Sequence, residues 1–451
     1  MEQNQEKSKQ RSMSRKKINP LTQNQNNIPL LLTTVQDDSY FEVKRVVKNI
    51  QPPKPETAPN KFLAQLFQSP TLNLISVGWI RERAINFMKV LGKRRIDMIM
   101  LRSLSFRGVP QEIPGLRPIV WRVLLGYLPR ETAKWEQFLK NQKQIYKDWR
   151  KELIVEPHLL DRDHPLSTHQ GSKWSKFFND QELWEEIEKD VRRTRSDMTF
   201  FTEAVDDDNS HLKDQLKKQA EVKKSHLHGE TRFNYIETHS DVLSRILFIY
   251  AKLNPGVRYV QGMNEILAVL YYCFWQSDSS LSEYFESDLF FCFTYLMAEI
   301  RDGFLRTMDS ESTGINGKIR IFSELMEKVD PELVDHLNEQ TVNPQFYSLR
   351  WLMLLLSQEF EIHNVIRLWD TLLADNERFW FLNYVCVAMV QVKRDSILNG
   401  DFSECMEALQ RQSQESDPRK IRQLLDQAKK ICQIHTRKYD NYIDKHGFTF
   451  L

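Results

Sequence analysis

From about Trp79 to Ile431 the apolar residues recur at spacings of three and four, the period of one face of an α-helix. Strand-like alternation is rare and glycine is scarce, 14 in 451 residues, so the pattern predicts an all-α fold. "DVLSRILFIYAKL" (Asp241–Leu253) puts Val242, Ile246, Ile249 or Tyr250, and Leu253 on one face. "NPG" (Asn254–Gly256) then ends that helix, because proline and glycine both break the pattern. The segment after it, Gly262–Trp275, is apolar nearly all round, which predicts a helix in the interior. Further buried helices are predicted at "LFFCFTYLMAEI", "RWLMLLLSQEF" and "RFWFLNYVCVAMVQV". No repeat at a fixed period is present, which argues against a solenoid.

The polar stretches mark the boundaries. Residues 1–60 are rich in Gln, Asn, Ser and Lys, end in "QPPKPETAP", and carry too little apolar surface to offset chain entropy, so they are expected to be a disordered polar tail. Residues 61–105 read as an N-terminal helical extension, 106–400 as the main domain, and 401–451 as a C-terminal helix and tail. Within the main domain, residues 202–240 turn polar and lysine-rich and read as a surface insertion, helical in part.

Composition excludes more than it selects. A formal charge of +2 gives no reason to expect nucleic acid as a partner. The five cysteines are widely spaced, mostly in apolar runs and without a CxxC pair, so they are expected to be reduced core residues. The N-terminus lacks the apolar core of a secretory signal, and the longest apolar run, Phe379–Val392, is short of the roughly 20 residues that cross a bilayer. The expectation is a soluble, cytoplasmic protein with no transmembrane segment, whose basic first twenty residues are a candidate for weak peripheral contact with an anionic membrane. No nucleotide-binding glycine loop, HExxH or GxSxG is present; "GINGK" has the wrong spacing. His226 and His228 lack companions at zinc spacing, and His164 and His363 are isolated, so no metal or cofactor of its own is expected.

Two stretches remain as candidates. In "NDQELWEEIEKDVRRTRSDMTFF" (Asn179–Phe201), Asn179 and Glu182 have the spacing of a capping box that would start a helix there. Leu183, Trp184, Ile187 and Val191 form its buried stripe, Asp190 stands at the edge, and Arg193 follows at i+3 where the two can pair. Arg192 points elsewhere and is expected to be free. On geometry alone a surface salt bridge, worth a few tenths of a kcal/mol, is the simpler reading. In "YVQGMNEIL" (Tyr259–Leu267), Gln261 stands at the start of the interior helix with free backbone N–H groups and a positive helix end. Gly262 would keep the surface low for an approaching backbone. Gln261 and Asn264 either cap that helix or meet a partner. An arginine held by an acid, with an amide at a helix end, is the pair of groups that could complete a GTPase active site, and equally a binding surface.

The chain resembles the TBC-domain GTPase-activating proteins of Rab GTPases. "FRGVPQEIPGLRPIVWRVLLGYLP" (Phe106–Pro129) looks like the start of that domain. "IEKDVRR" (Ile187–Arg193) matches the I-x-x-D-x-x-R arginine-finger motif and "YVQGMN" (Tyr259–Asn264) the Y-x-Q-G-M-N glutamine-finger motif. "FYSLRWLMLLLSQEF" and "VIRLWDTLLAD" look like later core signatures, and the long insertion between the fingers is most like the member-13 type. After the finger the usual R-T-F-P reads "RTRSD" here. The resemblance implies one large multi-helix domain with two helical subdomains over residues 106–400. It also implies catalytic roles for Arg193 and Gln261, with Asp190, Tyr259, Gly262 and Asn264 in support. The partner would be a GTP-bound Rab GTPase, which brings its own GTP and Mg²⁺, on endomembranes in vesicle trafficking. The alternative from another class is a non-catalytic helical adaptor.

Overall fold

The computed structural model describes residues 61–67, 78–154, 173–205, 237–275, 283–305, 308, 313–410 and 417–438. The expected tail over residues 1–60, the middle of the insertion (206–236) and the last residues (439–451) lie outside them, as do His164, His226 and His228. Gln51–Leu451 is one compact unit.

The helices run α1 (Lys61–Phe67), α2 (Gly78–Leu91), α3 (Met98–Phe106), α4 (Leu116–Leu124), α5 (Trp135–Leu153) and α6 (Lys173–Val191). They continue with α7 (His239–Leu253), α8 (Met263–Trp275), α9 (Phe285–Ile300), α10 (Ile315–Val329), α11 (Pro331–Glu339) and α12 (Gln345–Met353). The last are α13 (Ile362–Ala374), α14 (Trp380–Val392), α15 (Arg394–Leu398), α16 (Phe402–Gln410) and α17 (Pro418–Lys438). Among the described residues only two isolated β-bridges occur, Arg95 with Glu131 and Ala204 with Thr238. The fold is all-α, as the periodicity predicts.

The axis of the molecule is α8. Met263 to Phe274 are all buried, so the helix needs neighbours on every side, and it packs against α4, α6, α7, α9 and α13. Around it two groups of helices are recognisable, α5–α9 and, beyond it, α10, α12, α14 and α17. No break in packing separates them within the compact unit. All five cysteines are free and buried.

The ends of α7 follow sequence chemistry. Thr238 caps its N-terminus, and Asp241 returns the bond in a capping box. Asn254, first of the predicted breaker, is its C-cap. The insertion leaves and rejoins here as a closed strap: the Val205 N–H donates to Glu237 O (2.9 Å) and the His239 N–H to Glu203 O (3.2 Å).

Two predicted boundaries are corrected. The helix carrying Asp190 begins at Lys173, so Asn179 lies inside it and the Asn179/Glu182 spacing is not a cap. "RWLMLLLSQEF" is helical only to Met353; the chain then turns, with Leu355 (φ 51°) and Leu356 (φ 61°) left-handed. Leucine rarely adopts that conformation, so tertiary contacts impose it.

The opening motif and the later "LWD" meet in the core. Asp370, fully buried, accepts the Val109 N–H (2.8 Å), the Trp121 Nε1–H (2.7 Å) and the Arg117 Nε–H (3.1 Å).

Candidate functional site

Asp190 stands in the last turn of α6 and is buried, because the stripe on either side of it, Ile187 and Val191, faces the core. Its helix ends one residue later, and the chain turns over residues 192–197. That turn carries Arg193 outward. Arg193 Nη2 donates to Asp190 Oδ1 at 2.7 Å and Nε to Lys189 O at 3.1 Å. The side chain is nevertheless 70% exposed. A cation at a helix C-terminus is favoured by the helix dipole as well as by the carboxylate. Arg192, expected to be free, is instead paired with Glu188 Oε2 (3.3 Å), an i,i+4 pair on the exposed face.

The second oxygen of Asp190 accepts the Tyr259 hydroxyl at 2.9 Å. That hydroxyl also lies 3.2 Å from Asn264 Oδ1, but it has one proton, and the shorter, charge-assisted bond to the carboxylate is the stronger claim on it. Burial, and then the neighbouring Asp190 charge, push the Tyr259 phenol well up, so it remains a donor. Asn264 completes the network. Its Oδ1 accepts the Gly262 N–H (3.0 Å), and its Nδ2 donates to Thr194 Oγ1 (2.8 Å) and Asp190 O (3.4 Å). Thr194 Oγ1 in turn donates to Asp190 O (3.1 Å). One buried carboxylate and one buried amide thus join the end of α6, the arginine turn and the turn before α8.

Gln261 projects from that last turn. It is exposed, and its side chain takes no hydrogen-bond partner among the described residues. Of the two readings left open for Gln261 and Asn264, capping fits Asn264, whose Oδ1 takes the Gly262 N–H just before α8, and does not fit Gln261, which is unengaged. Gly262 has φ 104°, and a Cβ there would stand 2.6 Å from Leu354 Cδ2. The expectation that this glycine clears room for an outside backbone is corrected. The room is taken from within, by Leu354.

Sequence reasoning missed the floor of the site. Arg195, left-handed at φ 48°, is buried, and its Nη1 donates to Ser357 O (2.8 Å) and Phe360 O (3.1 Å). Glu265, the third residue of α8, is also buried; burial pushes its carboxyl up, and Gln358 and Arg195 pull it partly back. Nothing in "RRTRSD" marks the third arginine for burial, and only the left-handed leucine turn that supplies its acceptors explains it. Among the described residues no group of His, Cys, Asp and Glu could hold a metal ion. No helix there is long and apolar enough to cross a membrane.

Comparison with known proteins places this all-helical scaffold among GTPase-activating domains. The RabGAP-TBC family, described as the Rab-GTPase-TBC domain, matches residues 167–398. Human TBC1 domain family member 13 is 41% identical over 376 residues, covering 73% of this chain and 94% of that protein. The GTPase-activating protein gyp1 of Schizosaccharomyces pombe is 26% identical over 355 residues, 73% of this chain and 56% of that protein. In three dimensions the fold is shared with the crystal structure of the Ypt/Rab-GAP domain of Gyp1p, at a TM-score of 0.60 and 23% identity, over 79% of this chain and 99% of that one. The chain belongs to the RabGAP-TBC family.

Proposed function

We propose that this protein accelerates GTP hydrolysis by a Rab-family GTPase in its GTP-bound state, supplying Arg193 and Gln261 in trans, and so acts in vesicle trafficking. The observation that carries the reading is the sharing of Asp190. One oxygen holds Arg193 and the other holds Tyr259, five residues or fewer from both Gln261 and Asn264, so the two outward groups stand on one buried anchor.

The chemistry follows from charge and hydrogen bonding. In-line attack of water on the γ-phosphate spreads negative charge over its oxygens and the leaving group. The Arg193 guanidinium keeps donors to spare beyond its two bonds to α6 and neutralises that charge. The Gln261 amide has an oxygen to accept from the attacking water and an N–H to donate to the phosphate, which aligns the nucleophile. Gly262, Tyr259 and Asn264 fix the turn that presents it. GTP and Mg²⁺ belong to the partner, and the chain brings no cofactor.

The test is single-turnover GTP hydrolysis by a panel of purified Rab GTPases with wild-type protein, Arg193→Ala and Gln261→Ala. Acceleration of one or a few Rabs that both variants lose is the expected result. Binding to a Rab without acceleration would replace this reading with the non-catalytic adaptor.

A further inference from the structure

We infer that Arg195 is a positioning residue that ties the turn carrying Arg193 to the turn carrying Gln261, through the segment Leu354–Phe360. The inference rests on the proposed function for its catalytic readout, but not for its structural one.

Three observations converge on that segment. First, Arg195 is buried, and it spends its Nη1 donors on two main-chain carbonyls of the segment, Ser357 O and Phe360 O. Its Nη2 lies 3.3 Å from the half-exposed Asp197, and its buried acidic neighbour is Glu265 of α8, on the glutamine side rather than in its own turn. Second, Leu354 of the same segment fills the space over Gly262, and Gln358 bonds the buried Glu265 in the first turn of α8. The segment therefore touches the arginine turn at one end and the glutamine turn at the other. Third, the segment is itself held rigidly. Leu355 O accepts Trp369 Nε1–H (3.0 Å), and Glu359 takes both Nε–H (2.6 Å) and Nη2–H (3.0 Å) of Arg350.

Backbone strain maps to the same place. Seven described residues other than glycine have positive φ, and four of them are Arg195, Arg258, Leu355 and Leu356. Left-handed backbone at an arginine and two consecutive leucines persists only where surrounding contacts over-determine it. The contacts that do so here are the ones between the two turns and the segment beneath them. The Asp190 network joins the turns from above, and Arg195 joins them from below.

The experiment uses the full chain with Arg195→Gln, which keeps a polar donor but not the reach to both carbonyls, and Arg195→Lys, which keeps charge and one donor. Hydrogen–deuterium exchange is followed over residues 190–199, 259–266 and 354–360. The expected result for Arg195→Gln is faster exchange in all three together, with exchange in α14 unchanged, and partial recovery in Arg195→Lys. Faster exchange confined to residues 190–199 would overturn the coupling. With a Rab that the wild type stimulates, the saturating hydrolysis rate should fall about 10²-fold. The half-saturating concentration should stay within about threefold. Adding Arg195→Gln to Arg193→Ala should cost little more, because Arg195 acts through Arg193. A rise in half-saturation at an unchanged rate would assign Arg195 to docking instead. If the wild type stimulates no Rab, the proposed function fails while the exchange data still decide the coupling.

Discussion

Asp190 and Glu286 are each met by a tyrosine and by arginine, one arginine at Asp190 and two at Glu286, and the two clusters do opposite things. Glu286 accepts Arg245 Nε–H (2.6 Å) and Nη2–H (2.9 Å) together with the Tyr146 hydroxyl (2.6 Å), and Arg150 stands 3.4 Å away. Arg245 also pairs with Glu237, beside the strap that closes the insertion. Arg245 and Tyr146 are buried and Glu286 is nearly so, and together they bind α5, α7 and α9 to one another. In the Asp190 cluster the acid and the tyrosine are buried in the same way, but Arg193 faces solvent. Without Arg245, the enclosed Glu286 keeps only the Tyr146 hydroxyl and the longer contact to Arg150, and Glu237 loses its partner as well, whereas an acid that loses an exposed cation still has Tyr259 and water. The same residue types therefore make a structural rivet in one place and a tethered, solvent-facing cation in the other.

Five substitutions would break or sharpen that contrast. Arg193→Ala should cost the largest effect and none of it in stability. Stimulated hydrolysis should fall by about 10³-fold or more, while the urea midpoint stays where it was; a large loss of stability would erase the distinction between the two clusters. Arg245→Ala should do the reverse, destabilising by about 3–5 kcal/mol in urea unfolding with little change in rate for the molecules that remain folded.

The Glu286 cluster also carries a pH signature. Burial alone would raise the Glu286 carboxyl, but the Arg245 and Arg150 charges outweigh it and hold it at about 2. A carboxylate with a depressed folded pKa contributes stability above its unfolded value of about 4.3, lost as pH falls from there toward 2. The stability gap between wild type and Glu286→Gln should accordingly narrow as urea titrations move from pH 7 down to pH 3. A gap that widens would reverse the sign of the coupling.

Gly262→Ala should cost about 1–3 kcal/mol, because alanine is strained at that φ and its Cβ would displace Leu354. Hydrolysis should fall with it. Arg192→Ala marks the bottom of the scale. Its pair with Glu188 is exposed, so both stability and rate should change by no more than about 0.5 kcal/mol equivalent. Losses equal to those of Arg193→Ala would overturn the division of roles between the neighbouring arginines.

What could be read from sequence, and what could not, follows from the range of the forces involved. The spacing of Val242, Ile246 and Ile249 declared the buried face of α7, and the all-round apolarity after Gly262 declared α8 interior, because burial patterns are local in sequence. The pairing of Asp190 with Arg193 was visible for the same reason, at i+3. Its link to Tyr259 was not, since it joins residues sixty-nine apart and depends on how α6 packs on α8. The turn after Met353 was the least legible element. "LLLSQEF" reads as more helix, and bonds from Trp369, Arg350 and Arg195 hold it otherwise. The start of α6 failed differently: the Asn179/Glu182 spacing is a permissive signal, and the chain was already helical when it reached it.

The outward position of Arg193 has a consequence for inheritance. Cells remove defective proteins by sensing unfolded chain, and a change that leaves the folded population intact escapes that surveillance. A lesion at Arg245 would be cleared as it is made, and its carrier would simply have less protein. On the proposed function, a lesion at Arg193 would persist at full abundance, with its docking surface whole and its chemistry gone, and would compete with the healthy copy for the same partner. Of the two clusters, the one that matters less to the fold is the one whose damage the cell has no means to notice.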